Sequence, residues 1–463
     1  MGQRKYSRDG RAAAETGLVV ILVFKYFMSN IRYLSCKVIG RQHMEKTYTL
    51  FLKALKASLL NSSVNWDDSN TISDADWHNL FWLANFQNVL PMKYEAVYKC
   101  PAAQAADASL MATIKQKITL TVVSQTIRTE EAVRLLKILE KKNLHPLVVK
   151  GLVCRNLYPK PDFRISGDED ILIPWEEYKP CHEALLEFGM ELVNPGQNVE
   201  KAAEVSYKGK NSSFYIELHK NLFPPESSAY GDLNRFFENV EKRAIHISAV
   251  EGSTLIPTLN FTDHLFYLIC HSFKHFLHSG FGIRQVCDVV LFANAYGKCV
   301  DWTYILNSCR EIKAEKFAAC MFLIGNKYLT FDPEKAGYPD SWRKIQINEE
   351  MMLQDLLAGG IFGDSSLSRL HSSTMTLEAV VADKHGTKFH YGILKSLFPS
   401  AKALMGRYPY LEKNPWMLPA AWVQRIHGYI KESRHSYNDR ASESVKIGEA
   451  RIKLFKEYGI IDK

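Results

Sequence analysis

The feature that most limits the fold of this chain is a change in hydrophobic period between residues 144 and 220. Before and after this segment, apolar residues recur every three or four positions, as in TEEAVRLLKILEKK and TDHLFYLICHSFKHFL. That spacing predicts amphipathic helices. Within the segment, short apolar runs such as HPLVVK, DEDILIP and SSFYIELHK are bounded by turn residues and predict strands. The sequence therefore predicts an α+β fold in which a small mixed sheet is flanked by N- and C-terminal helical regions.

The chain divides into five predicted regions. They are an N-terminal extension (1–43), a helical region (44–143), the mixed core (144–260), a helical region packing on that core (261–335) and a C-terminal helical region (336–463). The extension contains the apolar run TGLVVILVFKYFM, which is shorter than the ~20 residues that span a bilayer and is interrupted by Lys25. We therefore predict no transmembrane segment and expect natural translation to begin at Met44, with a membrane-associated N-terminus as the alternative.

Composition argues against several classes of protein. The nine cysteines are scattered and lack a C-x-x-C pair, which argues against a disulfide framework or a zinc knuckle and favours a reducing, cytoplasmic compartment. The formal net charge of +8 suits a protein that handles phosphates, but no dense basic tract gives a strong nucleic-acid signal. The sequence also lacks a Walker turn, a Rossmann glycine fingerprint and a G-x-S-x-G motif.

Acidic residues interrupt two of the predicted strands. Asp168 and Asp170 open the strand DEDILIP, where residues two apart point to the same face with Cα atoms about 6.6 Å apart. Two carboxylates so placed can share hard divalent cations, because Mg²⁺ prefers oxygen ligands. Glu217 lies on one face of IELHK together with His219 and supplies a third carboxylate. Glu169 points to the other face, and we interpret it as a bystander.

Basic residues surround these carboxylates in the predicted topology. The turn Lys150-Gly151 follows a strand and opens a helix, where backbone N–H groups and a missing Cβ admit a phosphate closely. Arg164 lies four residues before Asp168, and its guanidinium fork suits anionic oxygens. Strand, glycine turn, helix and acidic strands in this order are what a two-metal phosphoryl-transfer site needs.

A later helix carries a stripe of basic residues. His271, Lys274 and His275 share one face of HLFYLICHSFKHFL, followed by His278. We predict contacts from this stripe to phosphates or a base in the cleft, with plain solvation and a zinc site as the alternatives. Arg284 and Asp288 are four residues apart and are expected to pair on a helix surface.

The ordered motifs VVKGLVCRNLYP, R-x-x-x-D-x-D-I-L-I, IELHKNLFP and IRQVCDVVLF resemble a known group of enzymes. They are similar to the polymerase-beta-like nucleotidyltransferase superfamily, and more closely to the bacterial uncharacterised nucleotidyltransferases known as nucleotidyltransferase family 5. The resemblance covers most of the chain from residue 44 and is specific between 147 and 290. Two departures from the superfamily pattern are Lys-Gly in place of Gly-Ser and Glu in place of Asp as the third acid.

The resemblance implies roles for the residues named above. Asp168, Asp170 and Glu217 would be catalytic ligands of Mg²⁺, or of Mn²⁺ in its place, and Glu217 would help to activate the acceptor. The implied nucleotide contacts are Lys150, Gly151, Arg164, His219, His271, Lys274 and His275. The expected reaction moves a nucleoside monophosphate from an NTP to an unknown acceptor (a small molecule, a protein or RNA) with release of pyrophosphate. The alternatives are a non-catalytic nucleotide-binding or interaction module that keeps the fold, and a toxin–antitoxin or RNA-modifying role.

Overall fold

The computed structural model describes residues 41–66, 72–225, 227, 229–248, 254–360, 367–387, 398, 400–405, 408–433 and 441–462. Residues 1–40 of the predicted N-terminal extension therefore lie outside the described residues. The first helix begins at Arg41. Within the described part of the chain, no helix is both long enough and apolar enough to cross a bilayer.

Helices precede the sheet, as predicted. Their bounds are α1 Arg41–Leu59, α2 Asp74–Phe86, α3 Leu90–Val97, α4 Pro101–Gln104 and α5 Ala108–Lys141. Ser73 caps α2 through a reciprocal capping box with Asp76, in which each side chain accepts the other's backbone N–H. The long helix α5 packs against both α3 and the helix that follows the second strand of the sheet.

The main sheet is small and mixed. Its elements and the helices between them are β1 Leu147–Val149, α6 Gly151–Arg155, β2 Glu169–Leu172, α7 Tyr178–Phe188, β3 Met190–Leu192, β4 Glu204–Gly209 and β5 Tyr215–His219. Among the described residues the strand order is β1-β2-β5-β4-β3, and β2 and β5 run parallel while the other neighbours are antiparallel. The α+β prediction is confirmed.

A second pair of strands lies outside the interval in which strands were predicted. β6 Ile245–Ser248 pairs antiparallel with β7 Leu255–Thr258, so the prediction that strands occur only between 144 and 220 is wrong. Pro257 weakens the strand signal in the sequence, because proline is confined to edges of sheets. β7 packs against β1, and the hydroxyl of Thr258 donates a hydrogen bond of 2.6 Å to the carbonyl of Val148.

The remaining chain is helical. The helices are α8 Phe261–Leu277, α9 Ile283–Tyr296, α10 Trp302–Glu311, α11 Glu315–Tyr328, α12 Asp340–Arg343, α13 Glu349–Gly359, α14 Leu367–Lys384, α15 Ala401–Leu404, α16 Tyr410–Lys413, α17 Leu418–Ser433 and α18 Ala441–Glu457. One continuous apolar core joins α1 to α18 through the main sheet, α8 and α9. The eight cysteines in the described part of the chain are free thiols, and all except Cys299 are buried.

C-terminal helices hold the end of α8. Arg451 on α18 is fully buried and donates hydrogen bonds to the carbonyls of Phe276 and His278. On α14, Arg369 donates to the carbonyl of Ser279 at 2.7 Å. These carbonyls have no partner within the helix, and side chains commonly satisfy such groups. The C-terminal region thereby fixes the orientation of the helix that carries the basic stripe.

Candidate active site

The strand register brings Asp170 and Glu217 together. Asp170 on β2 lies directly beside Glu217 on the parallel strand β5, and neighbours in register share a face of the sheet. The ligand atoms of Asp170, Glu217 and His219 all lie within 4.8 Å of one another. Asp168 is half-buried, precedes β2 and lies outside this group, yet its charge acts on both Glu217 and Lys150. Two of the three predicted carboxylates, Asp170 and Glu217, therefore form one cluster with His219, and Asp168 acts on it through its charge.

Crowding of negative charge alters the acidity of Glu217. Burial and the neighbouring carboxylates of Asp170 and Asp168 raise the pKa of Glu217 to about 7. A buried carboxylate beside other carboxylates resists ionisation unless a positive charge offsets the repulsion. The carboxylates of the cluster therefore repel one another, and a bound cation would reduce this repulsion.

Lys150 supplies part of that positive charge. Its ammonium Nζ lies 2.6 Å from Oδ2 of Asp170 and 3.4 Å from Nε2 of His271. Burial alone would lower the pKa of Lys150, but the carboxylates of Asp170 and Asp168 outweigh that effect and raise it. Burial would likewise raise the pKa of Asp170, and Lys150 and His219 instead hold it below its usual range. Both groups of the pair are therefore charged at neutral pH.

The backbone at Lys150 is strained and held by a histidine. Lys150 has φ +73° and ψ −101°, which is an unfavourable conformation for a residue with a side chain. Its N–H donates to Nε2 of His264 at 3.1 Å, and the other ring nitrogen contacts the hydroxyl of Thr258 at 3.0 Å. Nε2 must be an acceptor, so Nδ1 carries the proton. Burial lowers the pKa of His264 to about 3, which keeps the ring neutral.

Glu169 is not the bystander that the sequence suggested. It does point to the face opposite Asp170, but its carboxylate is buried, pairs with Arg155 at 2.7 Å and accepts the N–H of Leu152 at 2.9 Å. A Cβ on Gly151 would lie 1.8 Å from Oε2 of Glu169. The missing Cβ of Gly151 therefore makes room for Glu169, which corrects the prediction that it makes room for a phosphate.

We expect Gly151→Ala to lower the free energy of unfolding by about 1–3 kcal/mol, the usual cost of overpacking a buried site. Glu169 cannot move aside cheaply, since it is held by both Arg155 and Leu152. Gly167→Ala is the matched control, because no atom lies within 4 Å of the added methyl group. Urea unfolding of both variants measures the difference. Equal stability of the two variants would contradict this account of Gly151.

Arg164 was predicted to meet anionic oxygens in the cleft, and the structure places it elsewhere. Its guanidinium is buried and binds Asp288 on α9 through two hydrogen bonds of 2.7 Å each. Asp288 also accepts a hydrogen bond of 2.7 Å from the hydroxyl of Tyr158. Arg284 donates to the carbonyl of Ile165, so the predicted surface pair of Arg284 with Asp288 is wrong. All three charged groups anchor the loop before β2 instead.

The same loop is anchored from α5. The side-chain amide of Gln125 both donates to the carbonyl and accepts the N–H of Ser166, at 3.0 and 3.1 Å. Arg128 donates to the carbonyls of Ser166 and Gly167 at 2.7 and 3.1 Å. Asp168 follows immediately, so its backbone position is fixed by partners that the sequence pattern did not identify.

The basic stripe of α8 lies beside the carboxylates. His271 contacts Lys150, and the ring centroids of His271 and His275 are 4.6 Å apart. Burial and the charge of Lys150 lower the pKa of Lys274. In the described part of the chain, its ammonium makes no hydrogen bond and no ion pair. The predicted zinc alternative finds no support, since His271, His275 and His278 do not form a metal-binding group among the described residues.

The residues of the cluster fit a divalent cation. Asp170, Glu217 and His219 offer two carboxylates and one imidazole, which are common metal ligands. The ion pair of Asp170 with Lys150 demonstrates that this carboxylate already stabilises a positive charge. Asp170, Glu217 and His219 would hold the ion, with Asp168 beside them.

The comparison with known families agrees with this arrangement. The profile of a family described as "uncharacterised nucleotidyltransferase" matches residues 73–330, more than half of the chain. A search of curated proteins finds no match. The matched segment begins at the capped start of α2 and includes the main sheet, α8 and α9. The chain belongs to this family of nucleotidyltransferases.

Proposed function

We propose that the protein transfers a nucleoside monophosphate from an NTP to an acceptor nucleophile and releases pyrophosphate. The observation that carries the proposal is the in-register pair of carboxylates, buried Asp170 and half-buried Glu217, beside the basic stripe of α8 that contacts Lys150. Such a site places negative charge for a metal next to the ammonium groups of Lys150 and Lys274, which can bind a triphosphate. Phosphoryl-transfer catalysis consists mainly of this kind of positioning and charge stabilisation.

Separate residues bind the nucleotide and the acceptor in this proposal. The triphosphate oxygens bind to Lys274, His271 and His275. Lys274 suits this role because its ammonium is half-buried and has no ion-pair partner in the described residues. Lys150 turns from Asp170 toward the same oxygens. A divalent ion held by Asp170, Glu217 and His219 would neutralise charge on the reacting phosphate. An oxygen of Glu217 accepts the proton that the acceptor loses.

Incubation of the purified protein with each of the four NTPs, MgCl₂ or MnCl₂ and a heat-treated lysate fraction tests the proposal. We expect pyrophosphate release with at least one NTP, a requirement for the divalent ion, and a gain of one nucleoside monophosphate in the mass of an acceptor. The second candidate is a non-catalytic nucleotide-binding module. It would be supported by metal-dependent thermal stabilisation by an NTP without pyrophosphate release, and that result would reject transfer.

A further inference from the structure

We propose that His219 is a nitrogen ligand of the active-site metal, oriented by Glu204, and that it makes the site select a divalent transition ion over Mg²⁺. The inference concerns the metal of the proposed reaction and rests on that function. It changes the role of His219, which the sequence suggested as a nucleotide contact. It also gives a role to Glu204, which the sequence pattern did not single out.

The distances around His219 suit a coordination sphere. Its Nε2 lies 3.2 Å from Oδ1 of Asp170 and 3.9 Å from Oε2 of Glu217. Ligand atoms about 2.1 Å from an ion are separated by roughly 3 Å when adjacent and by about 4.2 Å when opposite. Both distances from Nε2 of His219 lie between these two values. The imidazole can therefore reach an ion on the two carboxylates without a change in the backbone.

Glu204 is placed to orient the imidazole. It lies directly beside His219 on the neighbouring strand β4, and its Oε2 is 3.6 Å from Nδ1 of His219. Metal-binding histidines commonly direct their second ring nitrogen toward a carboxylate, which fixes the ring and makes it a better ligand. With a proton on Nδ1 facing Glu204, Nε2 presents its lone pair to the cluster. Binding of an ion would release any proton on Nε2 to solvent, because a ligating nitrogen must be deprotonated.

The nitrogen donor determines the selectivity. Mg²⁺ is a hard cation that favours oxygen ligands and keeps its waters. Imidazole favours divalent transition ions, whose affinity for nitrogen exceeds that of Mg²⁺. The imidazole of His219 is only 8% exposed. A cluster of this imidazole and two carboxylates therefore binds a transition ion more tightly than it binds Mg²⁺. Mn²⁺ is a suitable probe, since it is paramagnetic and also binds carboxylates.

The test measures metal binding in the absence of nucleotide. Calorimetric titration gives the affinities for Mn²⁺ and Mg²⁺, and pulsed electron paramagnetic resonance detects coupling of bound Mn²⁺ to the ¹⁴N of an imidazole. We expect the wild-type protein to bind Mn²⁺ at least about tenfold more tightly than Mg²⁺ and to have the ¹⁴N coupling. His219→Asn should remove the coupling and bring the two affinities within about threefold of each other.

Two further variants separate the roles of nearby residues. His271→Asn removes another imidazole next to Lys150 and should leave the ¹⁴N coupling intact. Glu204→Gln should keep the coupling but weaken Mn²⁺ binding by about tenfold, the lower end of the usual effect of an outer carboxylate. The proposal is overturned if wild-type protein has no ¹⁴N coupling, or if the coupling persists in His219→Asn. Circular dichroism confirms that each variant is folded.

These outcomes are independent of the outcome for the proposed reaction. Coupling of bound Mn²⁺ to His219 with no pyrophosphate release from any NTP would reject nucleotidyl transfer and leave the metal assignment standing. Pyrophosphate release without ¹⁴N coupling would support the reaction and reject the role of His219.

Discussion

We expect Asp170→Asn to lower the rate of nucleotidyl transfer by at least about 1,000-fold. Asp170 is the most buried carboxylate of the cluster, and it contacts Lys150 and His219 as well as lying beside Glu217. The loss of a metal ligand removes charge stabilisation of several kcal/mol from the transition state, and about 4 kcal/mol corresponds to that factor. Steady-state pyrophosphate release by wild-type and variant protein measures the change.

The fold should survive this substitution. Asp168 keeps negative charge near Lys150, and asparagine has nearly the same volume as aspartate. Asp232→Asn is the matched control, because it makes the same chemical change at an exposed residue outside the cluster, and it should alter the rate by less than about twofold. A folded Asp170→Asn protein with wild-type turnover would reject the assigned role of Asp170.

The second large effect concerns stability. We expect Asp288→Asn to lower the free energy of unfolding at pH 7 by about 3–5 kcal/mol, the usual cost of breaking a buried ion pair from one side. The substitution leaves the buried guanidinium of Arg164 without its bidentate partner and weakens the hydrogen bond from Tyr158. Urea unfolding measures the change. Loss of this pair should also lower activity, since Arg164 lies in the loop that leads to Asp168.

The pH dependence of this effect has a definite sign. Burial alone would raise the pKa of Asp288, but Arg164 outweighs it and holds the pKa below the usual value of 3.8. A depressed folded pKa contributes stability above the unfolded pKa, and that stability is lost as the pH falls through the folded pKa. The difference between wild-type and Asp288→Asn protein should therefore persist down to about pH 4 and shrink only at lower pH.

Asp340→Asn provides the control for the buried pair. Asp340 and Arg343 form an exposed pair at 3.5 Å, and exposed pairs contribute little to stability. We expect a change of less than about 0.5 kcal/mol for this variant. If both variants lost the same stability, or if the difference at Asp288 did not depend on pH, the buried pair would not have the role assigned here.

Local sequence patterns predicted much of the fold and part of the site. The spacing of apolar residues and the turn residues that bound them identify β2 and β5. Side chains alternate between the two faces of a strand, which places Glu217 and His219 on one face. The patterns do not determine which strands are neighbours. The register of Asp170 with Glu217 follows from the parallel pairing of β2 with β5, which is a property of the whole sheet.

The residues whose contacts the sequence did not predict have partners far away in the sequence. Arg164 binds Asp288, 124 residues later, and the backbone of Lys150 is held by His264, 114 residues later. An arginine before two aspartates has the same local pattern whether it faces a phosphate or a buried carboxylate. Glu169 illustrates the same limit, because alternation predicts the face it occupies and only the packing of α6 places Arg155 against it.

The most direct test of the central claim follows the α-phosphate of the nucleotide. Wild-type protein is incubated with Mn²⁺ or Mg²⁺, a lysate fraction, and NTPs labelled on either the α- or the γ-phosphate. Nucleotidyl transfer predicts that an acceptor keeps the α label while the γ label leaves as pyrophosphate. Retention of the γ label on an acceptor, or no labelled acceptor with any of the four NTPs, would contradict the account.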